Sequence, residues 1–445
     1  MFRTVAIVGR PNVGKSSLFN RLLDKRVAIV ADEPGTTRDR VTGFMEHEEE
    51  TAILIDTGGL ELGSQNEINQ SIQKQVQSAI EEADAFIFVV DVTAGIVPLD
   101  EEIANILRIV NKPVVLAANK SDNMKRESMA TEFYRLAMGD PYTISAQHRR
   151  GIPEMLDQVF SLLPSEKEPP PPEEGTLPIA IVGRPNVGKS SIVNAILGES
   201  RTLVSPIPGT TRDAIDTSFQ YGDDEYILID TAGMRRKGHI NPGVEKFSVV
   251  RAMQAIERAK IAVLVVDASQ YLTAQDLHVA GYVQDAYKGL VLVINKWDLA
   301  KEEELDREEI EFIVRKKIPF FPNLPIIFTS ALNGKGVMAI FDAVKSIHNE
   351  RIKRISTGKL NRMLLDAVAA HPPATSGKQR LHIYYATQAE IDPPTFVFFT
   401  NNSKLVHFSY KRYLENRIRK SFGFDGTSIK TVFRSRSEQE ENTSK

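Results

Sequence analysis

Eight short apolar runs punctuate the first three hundred residues, and they come as two sets of four. The first set is VAIV (5–8), AILI (52–55), AFIFVV (85–90) and VVLAA (114–118). The second is IAIV (179–182), YILI (226–229), IAVLVV (261–266) and VLVI (291–294). Each run is unbroken rather than alternating, the pattern of a strand buried on both faces. Between the runs lie stretches with helical spacing of apolar residues, such as 66–82 and 100–110. Together they predict an α/β fold, a mostly parallel sheet with helices on both faces. Ligands of such sheets sit at the carboxyl ends of the strands.

The two sets are copies. VAIVGRPNVGKSSLFN (5–20) aligns without gaps to IAIVGRPNVGKSSIVN (179–194), an offset of 174 that also carries PGTTRD (34–39) onto PGTTRD (208–213) and ILIDTGG (53–59) onto ILIDTAG (227–233). NKSD (119–122) answers NKWD (295–298) with an offset of 176, and ISAQHRRGI (144–152) parallels TSALNGKGV (329–337). Five blocks in one order describe a duplicated domain, since the period is too long for a solenoid unit. Between the copies, PSEKEPPPPEEGTLP (164–178) is an acidic, proline-rich stretch that favours an extended spacer. The expected organisation is a first module at 1–163, the linker at 164–178, a second module at 179–350, a third domain at 351–435 and a disordered tail at 436–445.

Each motif follows an apolar run, where chemistry is expected. GRPNVGKS fits G-x-x-x-x-G-K-[ST] between a strand and a helix, the setting of a phosphate loop. It supplies Gly9, Arg10, Pro11, Asn12, Val13, Gly14, Lys15 and Ser16 in the first copy, and Gly183, Arg184, Pro185, Asn186, Val187, Gly188, Lys189 and Ser190 in the second. The glycines let backbone N–H groups and the helix end face the phosphates. Lys15 and Lys189 are expected to reach the β- and γ-phosphates, and the hydroxyls of Ser16 and Ser190 to bind Mg²⁺. Asp56, Thr57, Gly58, Gly59 and Leu60 form the next segment, matched by Asp230, Thr231, Ala232, Gly233 and Met234. There Asp56 and Asp230 are expected to hold Mg²⁺ through water, and Gly59 and Gly233 to offer an N–H to the γ-phosphate. In PGTTRD the second threonine, Thr37 or Thr211, is the preferred ligand completing the Mg²⁺ shell, with Thr36 and Thr210 capping the loop.

N-K-x-D selects the base. Guanine presents two adjacent N–H donors that one carboxylate accepts together, whereas adenine would leave that carboxylate unpaired. Asp122 and Asp298 take this role, Asn119 and Asn295 brace the loop, and the stems of Lys120 and Lys296 lie over the purine. Ser121 and Trp297 occupy the variable position, and Ser145-Ala146 and Ser330-Ala331 are expected to close the pocket with backbone N–H groups. The nucleotide is therefore GTP rather than ATP. Ras-type enzymes orient the attacking water with a glutamine just after D-x-x-G. Here Leu60 and Met234 stand in its place and cannot hydrogen-bond water. Basal turnover is expected to be slow, about 10⁻⁴ s⁻¹, unless a partner, a monovalent cation or a switch residue such as Arg38, Asp39, Arg212 or Asp213 assists.

Composition narrows the setting. The chain has 445 residues and no cysteine, which excludes disulfides and thiolate metal sites. No apolar run approaches the length of a membrane span, and the first residues do not read as a signal peptide, so a cytoplasmic protein without a membrane span is expected. The net charge of −3 conceals an asymmetry: residues 351–445 carry 17 Lys plus Arg against 8 Asp plus Glu, a balance of +9, while residues 1–350 carry 38 against 50. A basic tail on an acidic body suggests a polyanionic partner. Helical spacing at 359–371, strands at 381–387 and 395–400, a basic helix at 411–420 and a strand at 428–434 give the tail an α-β-β-α-β order, that of a KH-like α+β fold. The G-x-x-G clamp of that fold is absent; SGKQ (376–379) has only Gly377. Lys411, Arg412, Arg417, Arg419 and Lys420 are instead candidate phosphate contacts.

Two GTPase modules in tandem before a basic tail closely resemble the Der (EngA) family of bacterial GTPases over residues 1 to about 435. The resemblance implies a KH-like third domain and a role in assembling the large (50S) ribosomal subunit with its rRNA as partner. It also implies hydrolysis stimulated by K⁺, which Asn12 and Asn186 would help to hold. A regulatory protein activator is a further expected partner.

Overall fold

The structure is a computed structural model that describes residues 3–23, 29–31, 40–48, 50–56, 80, 83–110, 112–164, 175–198, 204–206, 216–231, 249–300, 304–373, 375–376 and 379–435. The chain separates into two compact units, Met1–Pro170 with Ser248–Gln254, and Pro171–Phe247 with Ala255–Lys445.

The first unit is built on seven strands: β1 (Arg3–Val8), β2 (Ile29–Ala31), β3 (Arg40–His47), β4 (Glu50–Asp56), β5 (Ala85–Asp91), β6 (Val114–Asn119) and β7 (Pro141–Thr143). They lie in the order β2-β3-β4-β1-β5-β6-β7, parallel from β4 to β7 and antiparallel at β2/β3 and β3/β4. Every residue of β1 and β5 is buried, which is why both read as unbroken apolar runs. Val5 and Ile7 face a core shared with Leu18, Phe19 and Leu22 of the helix Lys15–Leu22 and with Met155, Leu156 and Val159 of the helix Ile152–Leu162. Each such side chain contributes about 1.5–3 kcal/mol of burial. The helix predicted at 100–110 spans Pro98–Val110; the one predicted at 66–82 lies outside the described residues but for Ile80.

The second unit repeats this design. β8 (Thr176–Val182), β9 (Val204–Pro206), β10 (Thr217–Tyr221), β11 (Asp224–Ile229), β12 (Ile261–Asp267), β13 (Gly289–Asn295) and β14 (Ile326–Phe328) are ordered β9-β10-β11-β8-β12-β13-β14, strand for strand the same topology. Its core joins Ile179 and Ile181 to Ile192 and Ile196 of the helix Lys189–Gly198 and to Phe341 and Val344 of the helix Ala339–Arg351.

The basic tail belongs to the same unit. After a two-strand hairpin, β15 (Thr375–Ser376) and β16 (Gln379–Arg380), come β17 (Ile383–Ile391), β18 (Pro394–Thr400) and β19 (Lys430–Ser435). The last three form a sheet with β18 in the middle, β17 antiparallel and β19 parallel to it. The helices Thr357–Ala370 and Phe408–Phe422 share with it a core of Leu360, Leu364, Phe396, Phe398, Leu414 and Ile418. The expected element order is present; the first helix begins two residues before the predicted 359–371 and ends one residue short of it, and the second extends beyond 411–420 at both ends.

This small domain is fixed to the amino ends of β12 and β13, away from the strand ends that carry the motifs. Arg351, 2% exposed, donates to Asp392 Oδ1 at 2.6 and 3.0 Å, to Thr427 Oγ1 at 2.7 Å and to Tyr287 O at 3.0 Å. Lys260 reaches the other carboxylate oxygen at 3.1 Å. Burial pushes the Asp392 carboxyl upward, but the cations outweigh it and hold the group below its ordinary range. Leu290 N donates to Gly426 O at 2.9 Å beside them.

Candidate functional site

The phosphate loop leaves β1 in a conformation that only its sequence allows. Asn12 and Gly14 sit at positive φ, 64° and 95°, and the second copy repeats this at Asn186 and Gly188, 62° and 96°. A Cβ on Gly14 would lie 2.4 Å from Asn119 Nδ2, and one on Gly188 2.2 Å from Asn295 Nδ2. The close approach is needed because these amides tie the loops down. Asn119 Nδ2 donates to Val13 O at 2.8 Å while its Oδ1 accepts from Ala146 N at 3.1 Å. Asn295 does the same with Val187 O and Ala331 N, and also accepts from Thr329 Oγ1. The braces expected of Asn119 and Asn295 therefore join three motifs in each module. The amides of Ala146 and Ala331, expected to face the base, are shared with these braces, and those of Ser145 and Ser330 donate to Arg150 O and Lys335 O.

Lys15 Nζ lies 2.8 Å from Arg10 O, and Lys189 Nζ 2.6 Å from Arg184 O, so both ammonium groups arch over their loops. Burial lowers the Lys15 ammonium most, nearby Asp56 opposes it, Arg10 adds to it, and the group rests at about 8 instead of 10.5. The fold thus bears a cost for charging Lys15 below about pH 8, relieved as pH climbs toward 10.5. A bound triphosphate favours the charged form. With the second module disabled by Lys189→Ala, GTP affinity is expected to fall as pH rises past 8, with proton uptake on binding near pH 9. Calorimetry in buffers of different ionisation enthalpy reads the uptake, which should vanish near pH 6.5, where Lys15 is already protonated before GTP binds.

Ser16 Oγ donates to Asp56 Oδ2 at 3.1 Å, with Asp56 buried at the end of β4. A hydroxyl and a carboxylate side by side are hard oxygen donors that suit Mg²⁺ with waters completing its shell. Ser190 and Asp230 occupy the matching places at the start of a helix and just past the end of β11. Asp230 N donates to Asp216 Oδ1 at 3.0 Å, Asp216 is ion-paired with Arg258, and buried Thr231 bonds Thr217. Thr37, Thr211, Thr57, Gly58, Gly59, Leu60, Ala232, Gly233 and Met234 lie outside the described residues, as do Arg38, Asp39, Arg212 and Asp213.

At the base-selecting end, Asp122 Oδ1 accepts from Ser145 Oγ at 2.7 Å and Oδ2 is ion-paired with Arg126. A guanine read by this carboxylate would share it with Arg126. Ser121 turns inward to Ala118 O, and Trp297 packs edge-on against Phe328. Lys120 and Lys296 adopt positive φ and pair with Asp91 at 2.6 Å and Asp267 at 2.5 Å. Burial raises each of these carboxyls, yet hydrogen bonds from the lysine and from Thr93 or Ser269 hold both below the ordinary range.

Two family descriptions match the chain: "50S ribosome-binding GTPase" over residues 4–120 and 178–296, and "KH-domain-like of EngA bacterial GTPase enzymes, C-terminal" over 354–434. GTPase Der of Thermomicrobium roseum is 52% identical over 440 residues, covering 97% of this chain and 96% of that protein. GTPase Der of Symbiobacterium thermophilum is 47% identical over 433 residues, covering 97% and 92%. The chain belongs to the Der family of GTPases. Membership carries GTP binding and hydrolysis in two modules, with GTP or GDP and Mg²⁺ as cofactors. Among solved structures, a variant of Aquifex aeolicus Era bound to GDP·AlF₄⁻ is 26% identical over 58% of this chain and 86% of that chain, with a TM-score of 0.32.

Four carboxylates that no motif includes complete the sites of this Der-family chain. Asp91 and Asp267 anchor the N-K-x-D lysines. Asp100 and Asp276, both fully buried, face the loop arginines: Arg10 Nε stands 3.4 Å from Asp100, and Arg184 Nε 3.1 and 3.2 Å from the two oxygens of Asp276. Both pairs sit nine residues apart, each at an offset of 176 between copies, so the repeat itself held the signal. Asp276 also caps its helix by accepting from Thr273 N and Oγ1. Asp276→Ala removes the carboxylate facing half-buried Arg184, which keeps its bond to Gln270 O, and is expected to cost about 2 kcal/mol, the loss of a charge-assisted hydrogen bond. Denaturant titration measures that loss, and weakened nucleotide binding in the second module alone should accompany it.

The structure also corrects one assignment in the tail. Arg419 donates to Phe424 O at 2.7 Å and Thr427 O at 2.9 Å and pairs with Glu415, so it holds the helix end and is not available to a phosphate.

Proposed function

We propose that this protein is a cytoplasmic, two-site GTP switch that docks on the large (50S) ribosomal subunit and its rRNA during assembly. The observation that supports it most is the duplicated asparagine brace, which ties phosphate loop, base-selecting loop and pocket loop together in both modules. The reading of the partner rests on the family description and on the basic third domain.

In each module the loop amides and Lys15 or Lys189 bind the phosphates, and the carboxylate of Asp122 or Asp298 selects guanine. Ser16 and Asp56, or Ser190 and Asp230, with Thr37 or Thr211, would hold Mg²⁺, which would supply positive charge to the phosphates. Gly59 and Gly233 offer a backbone N–H to the γ-phosphate. With Leu60 and Met234 unable to orient water, turnover would be slow, and Asn12 and Asn186 would hold a K⁺ whose charge would assist it. Both asparagine side chains are exposed on the loop, where a cation beside the phosphates would meet them. Exchanging K⁺ for Na⁺ is expected to slow hydrolysis about tenfold or more, by removing one electrostatic stabiliser. Asn12→Ala and Asn186→Ala should each blunt that response in steady-state assays.

Co-sedimentation with ribosomal subunits under GTP, GDP and a non-hydrolysable analogue tests the switch. Association with large subunits should be strongest with the analogue. Equal association in all three states would contradict it.

A further inference from the structure

The tail's sheet has two unlike faces. One carries Phe396 and Phe398 into the helical core. On the other, Tyr385 of β17, Phe399 of β18 and Arg434 of β19 occupy one row, because Tyr385 is registered opposite Phe399 and Phe399 opposite Arg434. The rings of Tyr385 and Phe399 are stacked, 4.3 Å apart and 13° from parallel. Tyr385 lies on the edge strand and remains 45% exposed, with Tyr384 beside it at 59%. Such an aromatic pair usually enters a core; here it stands at a surface.

Charge says what kind of partner would cover it. Arg380, at the entry to β17, Lys404, just past β18, and Arg434 are all exposed at this end of the sheet. The stretches 379–388, 395–407 and 430–435 that build this end contain no Asp or Glu. Exposed rings framed by cations and free of acids fit a chain whose units each offer a flat π face and a phosphate. The opposite end of the same face is committed elsewhere: Lys430 lies over the ring of Tyr287 in the second GTPase module, 5.7 Å away. With no G-x-x-G loop, the domain needs another way to hold nucleic acid.

We infer that this end of the sheet binds an unpaired stretch of RNA. A base continues the Tyr385–Phe399 stack, and Arg434, Arg380 and Lys404 meet the flanking phosphates. The inference rests on the reading that RNA is a partner of this chain, and it places the contact on the sheet rather than on the helix Phe408–Phe422. Because stacking accepts any base, the site reads single-strandedness more than sequence.

The test uses the full chain and a fluorescein-labelled 12-nucleotide oligoadenylate, followed by anisotropy. Tyr385→Leu and Phe399→Leu should each weaken binding about tenfold, the loss of one stacked base. Tyr385→Trp should retain it, and Arg434→Gln should lower the slope of log affinity against log salt by about 0.7. GTP turnover should not change in any of them, and a wild-type circular dichroism spectrum and unfolding midpoint would report that the variants fold. Unaltered oligoadenylate affinity in both leucine variants overturns the proposal, as does a loss confined to Lys411→Gln and Arg412→Gln. Variants that keep the oligonucleotide but lose ribosomal particles would show that a protein docks here, and overturn it too. A wild-type chain that co-sediments with subunits yet ignores oligoadenylate defeats the sheet site alone; one that does neither defeats the reading beneath it.

Discussion

Asp298→Asn is expected to turn the second module from a guanine into a xanthine site, with GTP affinity lower by about 10³-fold and xanthosine triphosphate accepted in its place. A carboxylate accepts two charge-assisted hydrogen bonds from guanine, each contributing about 1.5–3 kcal/mol. An asparagine presents one acceptor and one donor, so its NH₂ would confront the guanine amino group while matching the oxygen that xanthine carries there. Rejection of a mismatched partner in a built polar site is correspondingly steep. The matching change at Asp122 should be smaller. Arg126 already pairs with Asp122, and guanine gains less from a carboxylate that it must share. Competition between the two nucleotides on each variant measures both effects.

Gly188→Ala is expected to remove nucleotide binding from the second module, by more than about 100-fold, and Gly14→Ala to do the same in the first. The new methyl would stand 2.2 Å from Asn295 Nδ2 at a backbone φ of 96°. Left-handed strain of that kind costs about 1–3 kcal/mol. The larger effect is displacement of Asn295, which is 2% exposed, has no room to retreat, and carries the brace to Val187 and Ala331. Gly281→Ala is the control. That glycine sits within the helix Ala274–Asp285 with open space around its Cβ position, so the change should stabilise by about 0.5–1 kcal/mol through helix propensity. Denaturant titration and nucleotide binding, run on all three variants, separate local strain from loss of the site.

What could be read from the chain and what could not divide along the range of the interactions. The eight apolar runs all became strands of the two sheets because a strand covered on both faces has little alternative pattern. The phosphate loop was legible because its glycines, lysine and serine act within eight consecutive residues. The brace by Asn119 and Asn295 was also legible, since N-K-x-D implies it. Asp91, Asp100, Asp267 and Asp276 were missed, because a lone Asp after a strand or at a helix start has many uses. Only their equal spacing in both copies set them apart. The role of Arg419 could not be read at all: its acceptors, Phe424 O and Thr427 O, are brought back to it by the chain reversal around Gly423 and Gly426, both at positive φ. The attachment of the tail through Arg351 and Asp392 was equally hidden, joining residues 41 apart that no local pattern links.

The central claim is that the chain carries two working GTP sites, not one site and its relic. Equilibrium dialysis with labelled GTP, paired with turnover, on the wild type, Lys15→Ala, Lys189→Ala and the double variant tests it most directly. Two nucleotides bound per wild-type chain are predicted, one in each single variant and none in the double, with turnover in each single variant reduced to that of the surviving module. A single variant that still binds two nucleotides, or that hydrolyses GTP at the full wild-type rate, would contradict the account.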